Sequence, residues 1–285
     1  MIKLTFELIP EDGYVKPYNH PFGYVFRGVI MKWLSESKPE LVHILHDYEK
    51  VRQYAINTII RKRPPKIDFI LVSYDDLLSE TLVKDIITDN KISLQIGNKQ
   101  YYISKVQFEK IIVRNFCSAA QPVKAFNIKF ITPAYFNTLM GDYPVRFPIP
   151  SLLFGNLANL WNSITEDEGE INRDTFINWI NAHVYVSYYK MKTVRRDINK
   201  PKPVYGGKGD AAFRVKKANK NYYSHYLKEL GRGEEDSDFL KKDYINNCKW
   251  LDALCHFGQY TNVGANRTAG MGVIRYYPKY YLKER

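Results

Sequence analysis

A chain of 285 residues exceeds the ~100–200 residues typical of one domain, so two small domains or one large domain are possible. Hydrophobic residues make up 45% of the sequence, which is normal for a globular core and excludes extensive disorder. The formal net charge of +12 favours an acidic partner, either a nucleic acid or an anionic membrane surface.

Three further features of the composition narrow the class of protein. The 23 tyrosines and 15 phenylalanines can stack on unpaired bases, although tyrosine is also common in strands and most of these rings are structural. No stretch approaches the ~18–20 apolar residues of a membrane span, and the N-terminus lacks the order of a signal peptide. Cys117, Cys248 and Cys255 form no CxxC pair, so we expect a cytoplasmic protein without disulfides, metal site or cofactor.

The first 122 residues predict a ferredoxin-like domain. The elements are a strand at KLTFELIP, helices in YNHPFGYVFRGVIMKWLSES and PELVHILHDYEK, strands at QYAINTIIRKR and PKIDFILVSY, a helix in DDLLSETLVKDIITD, and a hairpin around Gly97 and Asn98. Strand, helix, strand, strand, helix, strand is the order of the split βαβ arrangement.

Residues 123–285 repeat this order with a longer middle. The elements are a strand at AFNIKFITP, a proline-led helix in FPIPSLLFGNLANLWNSI, β-prone runs at AHVYVSYYKMKTV and KPVYGGKGDAAFRVKK, a polar insertion over 218–243, a helix at YINNCKWLDALCHFGQY and a last strand in GMGVIRYYP. The fold class predicted is therefore α+β, with two tandem ferredoxin-like domains that meet near residue 122.

The segment GQYTNVGANRTAGMGVIRYYP, residues 258–278, combines four glycines with basic residues. Glycines allow positive φ angles and a close approach of a ligand to the backbone. The segment is not a P-loop, because GxxxxGK[ST] is absent. Composition alone favours a tight turn, with a binding loop as the alternative.

Within this segment, VGANRTAGMG resembles the glycine-rich loop of the repeat-associated RNA-binding (RAMP) superfamily of CRISPR systems. The longer HFGQYTNVGANRTAGMGVIRY resembles the C-terminal signature of the CRISPR precursor-RNA processing endoribonucleases, the sixth Cas family. The resemblance extends to YNHPFGYVFRGVI with ELVHILHD, to VRFPIPSLLFGNLANLWN, and to VYVSYYKMKTV with YGGKGDAAFRV. It covers almost the whole chain and is weakest over 218–243.

The resemblance implies metal-independent cleavage of repeat RNA within a CRISPR transcript. The ribose 2′-OH would be the nucleophile, and the products would be a 2′,3′-cyclic phosphate and a 5′-hydroxyl. Histidine suits the proton transfer because its unperturbed pKa is ~6.5. The family's catalytic histidine falls on His46, and Lys50 or Arg52 would stabilise the developing charge. The second choices for catalysis are His20, His43 and Tyr48; the family's helical tyrosine falls on Met31.

Two basic segments are candidates for RNA binding. The first contributes Lys192, Arg195, Arg196, Lys200 and Lys202, in KTVRRDINKPKP. The second is the glycine-rich segment, with Gly258, Gly264, Arg267, Gly270 and Gly272. Main-chain amides at such glycines can reach phosphates, since a Cβ would hold the chain away. A run of charge is equally typical of a solvated loop.

The first functional hypothesis is therefore an endoribonuclease that cuts precursor transcripts at the CRISPR repeat to produce guide crRNAs. The alternative is a non-catalytic subunit that binds repeat RNA in an interference complex, a hypothesis that Met31 keeps open. A third is a basic protein of anionic membranes, for which no cationic amphipathic helix is found. The expected partners are repeat RNA and other Cas proteins of an effector complex, without membrane contact, and both a monomer and a homodimer remain open.

Overall fold

The structure is a computed structural model that describes residues 1–15, 22–46, 51–88, 93–96, 98–138, 143–165, 169–197, 203–217, 219–229 and 237–280. Contacts between residues divide the chain into two compact units. The first contains Met1–Ile112, Val194–Gly206 and Tyr260–Val273, and the second contains Val113–Thr193, Gly207–Gln259 and Ile274–Arg285. The chain thus returns to the first unit twice, and the sequence-based division at residue 122 stays a prediction.

The first unit contains a five-stranded antiparallel sheet with three helices. The elements are β1 (Ile2–Pro10), α1 (Phe22–Ser37), α2 (Pro39–His46), β2 (Tyr54–Lys62), β3 (Pro65–Ser73), α3 (Asp76–Thr88), β4 (Ser93–Ile96) and β5 (Lys99–Lys110). The strand order is β2-β3-β1-β5-β4. Without β4, this is the order of a ferredoxin-like sheet, in which the first and third strands are central. The predicted hairpin is confirmed by the pairing of Ile96 with Lys99, and Gly97 lies outside the described residues.

β1 pairs with β3 on one side and β5 on the other, and its alternation determines which face of the strand is buried. Leu4, Phe6 and Leu8 are fully buried on one face. Opposite them, Phe26 of α1 stacks on Phe69 of β3 with a centroid distance of 4.1 Å and an interplanar angle of 5°. Each such side chain contributes roughly 1.5–3 kcal/mol relative to an exposed position. These contacts fix α1 against the sheet.

The second unit contains a four-stranded sheet with the order β11-β6-β10-β9. Its elements are α4 (Arg114–Ser118), β6 (Val123–Ala134), the short β7 (Phe136–Asn137) and β8 (Pro144–Val145), α5 (Pro150–Asn162), α6 (Arg173–His183), β9 (Val184–Arg196), β10 (Val204–Val215), α7 (Lys220–Glu229), α8 (Ser237–Thr261) and β11 (Ile274–Tyr280). Because β6, β9, β10 and β11 are its first to fourth strands, the order again matches a ferredoxin-like sheet. The prediction of two such folds in tandem is confirmed.

Aromatic side chains fill the core of this unit. Phe126 of β6 stacks on Phe213 of β10 at 4.9 Å, and Trp161 of α5 makes an edge contact with Phe257 of α8 at 5.2 Å. α5 begins at Pro150, as the sequence predicts, since proline suits the first helical turn.

Two predictions in this unit need correction. Helix α6 was not predicted, although Phe176, Trp179, Ile180 and His183 are buried at helical spacing and the side chain of Asn172 caps its first turn. The polar stretch 218–243 does contain a helix, but α8 already begins at Ser237, seven residues before the predicted start of that helix at Tyr244. No helix in the described part of the chain is long and apolar enough to span a membrane.

Candidate active site

The loop predicted at residues 258–272 begins later than expected. Helix α8 continues through Gly258 to Thr261, so Gly258 is a buried helical residue. The connection to β11 therefore consists of residues 262–273, which we call the 262–273 loop. It belongs to the first unit, together with α1 and β2.

Left-handed backbone conformations shape the 262–273 loop. Asn266, Gly264, Gly270 and Gly272 have φ angles of 56°, 76°, 78° and 70°. The loop closes on itself through a hydrogen bond of 2.8 Å from the Val263 amide to the Gly272 carbonyl. A Cβ at Gly272 would lie 1.8 Å from the Val263 oxygen, so only glycine fits there.

The same loop packs against α1 backbone to backbone. A Cβ at Gly23 would lie 2.8 Å from the carbonyl oxygen of Ala269 and 2.8 Å from the Cα of Gly270. Gly270 in turn faces the Cα of Gly23. The bare backbone at these positions therefore serves contact with the protein's own chain, while RNA binding by the loop glycines stays a prediction.

A buried asparagine ties the loop to the first sheet. The side-chain amide of Asn262 donates to the carbonyl of Ile56 in β2 at 2.9 Å and to the carbonyl of Arg267 at 3.3 Å. Its φ of 59° is left-handed, which asparagine tolerates better than most residues. The Asn262 side chain thus connects the start of the loop and Arg267 to β2.

Arg267 donates its hydrogen bonds inward. One guanidinium nitrogen lies 3.3 Å from the Tyr74 hydroxyl and 3.1 Å from the Thr261 carbonyl. The other lies 3.4 Å from the Arg52 carbonyl. Burial raises the pKa of Tyr74 to about 12, against the opposing effect of the Arg267 charge. Arg267 therefore positions the loop, and its contact with RNA stays a prediction.

Arg52, a predicted catalytic cation, is held by two residues of the 262–273 loop. It lies two residues before β2, is half-buried, and donates from its guanidinium to the Thr268 hydroxyl at 3.1 Å. Its carbonyl accepts from Arg267. Both the backbone and the side chain of Arg52 are thus fixed by residues 267–268.

Tyr54 is a site residue that the sequence reasoning missed. It is fully buried at the start of β2, and its hydroxyl has no hydrogen-bond partner among the described residues. Burial raises its pKa, while the charges of Arg27 and Arg52 act in the opposite direction. Two half-buried guanidinium groups, of Arg27 and Arg52, therefore lie beside the loop and the buried Tyr54 and Thr268, and a pair of cations suits a phosphate.

The position of Arg27 on α1 could have been found from spacing. Arg27 follows Gly23 by four residues, which places both on one face of the helix. Since Gly23 touches the loop, Arg27 lies on the loop-facing side one turn later. Met31, where the family tyrosine falls, instead packs against the core of the first sheet.

The structure places the remaining predicted residues as follows. His46 is the last residue of α2, with its side chain outside the description, and His43 is exposed on the same helix. Lys192 and Arg195 are exposed on β9, where Arg195 pairs with Asp197 at 3.2 Å and Arg196 donates to the Arg195 carbonyl at 3.3 Å. His20, Tyr48, Lys50, Lys200 and Lys202 lie outside the described residues.

The sequence model of one protein family, the CRISPR-associated endoribonuclease Cas6, matches residues 128–274, slightly more than half of the chain. The matched part runs from β6 through the 262–273 loop to the first residue of β11. This chain belongs to the Cas6 family. It is accordingly an endoribonuclease of CRISPR systems, which confirms the family indicated by the sequence motifs.

Individual Cas6 proteins agree with this assignment over nearly the full length. A Cas6 endoribonuclease from Streptococcus thermophilus is 22% identical over 268 residues, 91% of this chain and 94% of its own. The product complex of a Thermus thermophilus Cas6 has a TM-score of 0.72 at 16% identity and covers 98% of this chain and 99% of that chain. A Cas6 substrate-mimic complex has a TM-score of 0.65 at 14% identity, with 98% and 100% covered. At these identities, the structural likeness shows a shared fold.

Proposed function

We propose that this Cas6-family chain binds CRISPR repeat RNA in the precursor transcript and cuts it at the repeat to release guide crRNAs. The family match carries the proposal. The half-buried arginines Arg27 and Arg52 support it, because they offer two cations beside the 262–273 loop. The released RNA would then pass to other Cas proteins of an effector complex.

The proposed reaction needs no metal ion. The 2′ oxygen attacks the adjacent phosphorus as a base removes its proton, and the bond to the 5′ oxygen breaks as an acid protonates that oxygen. The products are a 2′,3′-cyclic phosphate and a 5′-hydroxyl. One well-placed acid or base contributes ~10²–10⁴-fold to such a rate.

His46, the last residue of α2, would be the acid or base, because the resemblance to the family places the catalytic histidine there. The guanidinium of Arg52, held by Thr268, would stabilise the charge that develops on the phosphate. Lys50 is the second cation candidate. Arg27 would assist from α1, and the buried Tyr54 would pack beside the two guanidinium groups.

The decisive experiment compares wild type with His46→Ala on a labelled repeat RNA in EDTA under single-turnover conditions. We expect wild type to cut and the variant to lose ~10²-fold or more in rate while it binds the RNA equally at fixed salt. His225→Ala is the matched control, since this exposed histidine of α7 pairs with Glu229 one turn away. It should cut like wild type.

Three outcomes would change the proposal. Equal cleavage by wild type and His46→Ala would exclude His46 and make His20 and His43 the next targets. Cleavage that disappears in EDTA and returns with a divalent cation would exclude the metal-independent mechanism. Tight binding without any cleavage would favour the non-catalytic subunit.

A further inference from the structure

The outward face of the second sheet is open and ordered by strand register. Its buried face carries residues such as Phe126, Ile128 and Phe213. On the other face, pairing places side chains in three rows: Arg275, Lys129 and Asp210; Tyr277, Asn127 and Ala212; Lys279, Ala125 and Arg214. Successive rows lie about 7 Å apart along the strands. All nine residues are exposed or half-buried.

Positive charge dominates this face. Across the three rows, Arg275, Lys129, Lys279 and Arg214 are basic, and Asp210 is acidic. A groove with a volume of about 910 Å³ crosses the β6, β9 and β10 side of the sheet. The charged side chains that line the groove in the described part of the chain are Lys124, Arg214, Lys217 and Lys279. This lining favours an anionic ligand.

Exposed tyrosine rings stand among these cations. Tyr185 and Tyr188 of β9 line the groove, with 40% and 59% of their surface exposed. The Lys216 ammonium lies 5.6 Å from the centroid of the Tyr185 ring and helps to orient it. Tyr277 of β11, in the middle row, is 51% exposed. Rings at the surface of a sheet can stack on bases, whereas the bases of a duplex are already stacked on one another.

The polar groups between the rings suit the same ligand. The side chain of Asn127 lies in the middle row, and the Ser187 hydroxyl donates to the Ala212 carbonyl at the groove. An amide and a hydroxyl can hydrogen-bond the edges of unstacked bases. An anionic membrane would instead require a contiguous apolar surface or a cationic amphipathic helix.

We propose that this groove on the second sheet is a binding site for an unpaired segment of RNA, in which Tyr185 stacks on a base and Arg214 and Lys279 bind phosphates. The inference deepens the proposed function, since the segment would belong to the same transcript. The described residues that line the groove all belong to the second unit, whereas the candidate catalytic residue Arg52 belongs to the first.

The test measures binding of a fluorescent oligouridine of about 12 nucleotides, within the ~4–16 nucleotides typical of such surfaces. Tyr185→Leu should weaken binding by ~5–150-fold, the effect of one stacked base, and Tyr185→Phe should restore it. The double variant Arg214→Ala and Lys279→Ala should weaken binding and lower the slope of log Kd against log salt by about 0.7 for each cation removed.

The matched control is the double variant Lys241→Ala and Lys242→Ala, which removes the same charge from exposed positions on α8. It should bind oligouridine like wild type, and circular dichroism should show all variants folded. Wild-type affinity in both groove variants would overturn the proposal. Equal affinity for an RNA duplex of the same length, with the same losses in the variants, would make the groove a general polyanion surface and also overturn it.

Cleavage of the precursor by wild type is measured separately and distinguishes this inference from the proposed function. Weaker oligouridine binding by the groove variants, with no cleavage by wild type, would support the groove and exclude the endonuclease mechanism. Cleavage by wild type, together with unchanged oligouridine binding by the groove variants, would support the endonuclease mechanism and exclude the groove.

Discussion

At the scale of single residues, glycine and arginine in the 262–273 loop act through contacts with the protein itself. Gly272 adopts a φ of 70° while its Cα faces the Val263 carbonyl. Arg267 donates to acceptors on Tyr74, Thr261 and Arg52. A lysine there would present a single ammonium group instead of a planar fork with several donors. The loop's shape thus depends on residue types that also suit RNA binding.

A prediction at this scale concerns Gly272→Ala. We expect the free energy of unfolding to fall by at least ~2 kcal/mol, because a Cβ meets the Val263 carbonyl and alanine is strained at positive φ. Gly28→Ala is the matched control, since Gly28 is exposed within α1 and a Cβ there meets nothing within 4 Å. That change should raise stability by ~0.5–1 kcal/mol. Urea unfolding measures the stability of both variants. Equal effects of the two changes would contradict the account of the contact between Gly272 and the Val263 carbonyl.

At the scale of elements, His183 joins three helices of the second unit. Its Nδ1 lies 2.9 Å from the Trp179 carbonyl of α6, and its Nε2 accepts from the Asn219 amide just before α7 at 3.1 Å. The ring also makes an edge contact with Tyr244 of α8 at 5.7 Å. These partners select the neutral tautomer with its proton on Nδ1. Burial lowers the pKa of His183 accordingly.

A pH dependence of stability follows from this packing. The unfolded chain binds a proton near the ordinary pKa of 6.5, whereas the folded protein binds it only at lower pH. The stabilisation from His183 is therefore present above pH 6.5 and is lost as the pH falls toward the folded pKa. In His183→Gln, we expect the free energy of unfolding to decrease less between pH 7.5 and 5.5 than in wild type. Urea unfolding at several pH values measures the difference.

The control for this prediction is His225→Gln, which changes an exposed histidine of α7. Its stability should follow the wild-type pH profile. If His183→Gln keeps the full wild-type slope, other groups carry the pH dependence and the account of His183 is wrong.

At the scale of the whole molecule, the net charge of +12 should make RNA binding strongly dependent on salt. Each phosphate neutralised on a single strand contributes a slope of about −0.7 in log K against log salt. With about four such contacts, the affinity should fall ~50-fold when salt rises fourfold. Titration of labelled repeat RNA with His46→Ala measures this. A slope near zero would mean that the excess charge lies away from the RNA.

Local sequence patterns determined the fold class. Alternation in β1, helical spacing in α1 and the prolines before α5 each specify one element, because side-chain periodicity follows backbone geometry. The order of these elements then predicted two ferredoxin-like folds. Helix α6 does carry helical spacing and a cap in its sequence. The start of α8 is polar, and there the packing of Tyr244 on Trp179 of α6 decides the helix.

The sequence likewise predicted one part of the candidate site, and the tertiary structure decided the other part. The sequence pointed to Arg52 and to the glycines through the motifs that resemble the family, since composition alone favoured a tight turn. Only the tertiary structure brought Tyr54 and Arg27 to Arg52, and turned Arg267 toward Tyr74, 193 residues away along the chain. Contacts between distant segments depend on how strands pair and helices pack, and no local pattern encodes them. For the same reason the basic groove emerged only once strand register had aligned β6, β10 and β11.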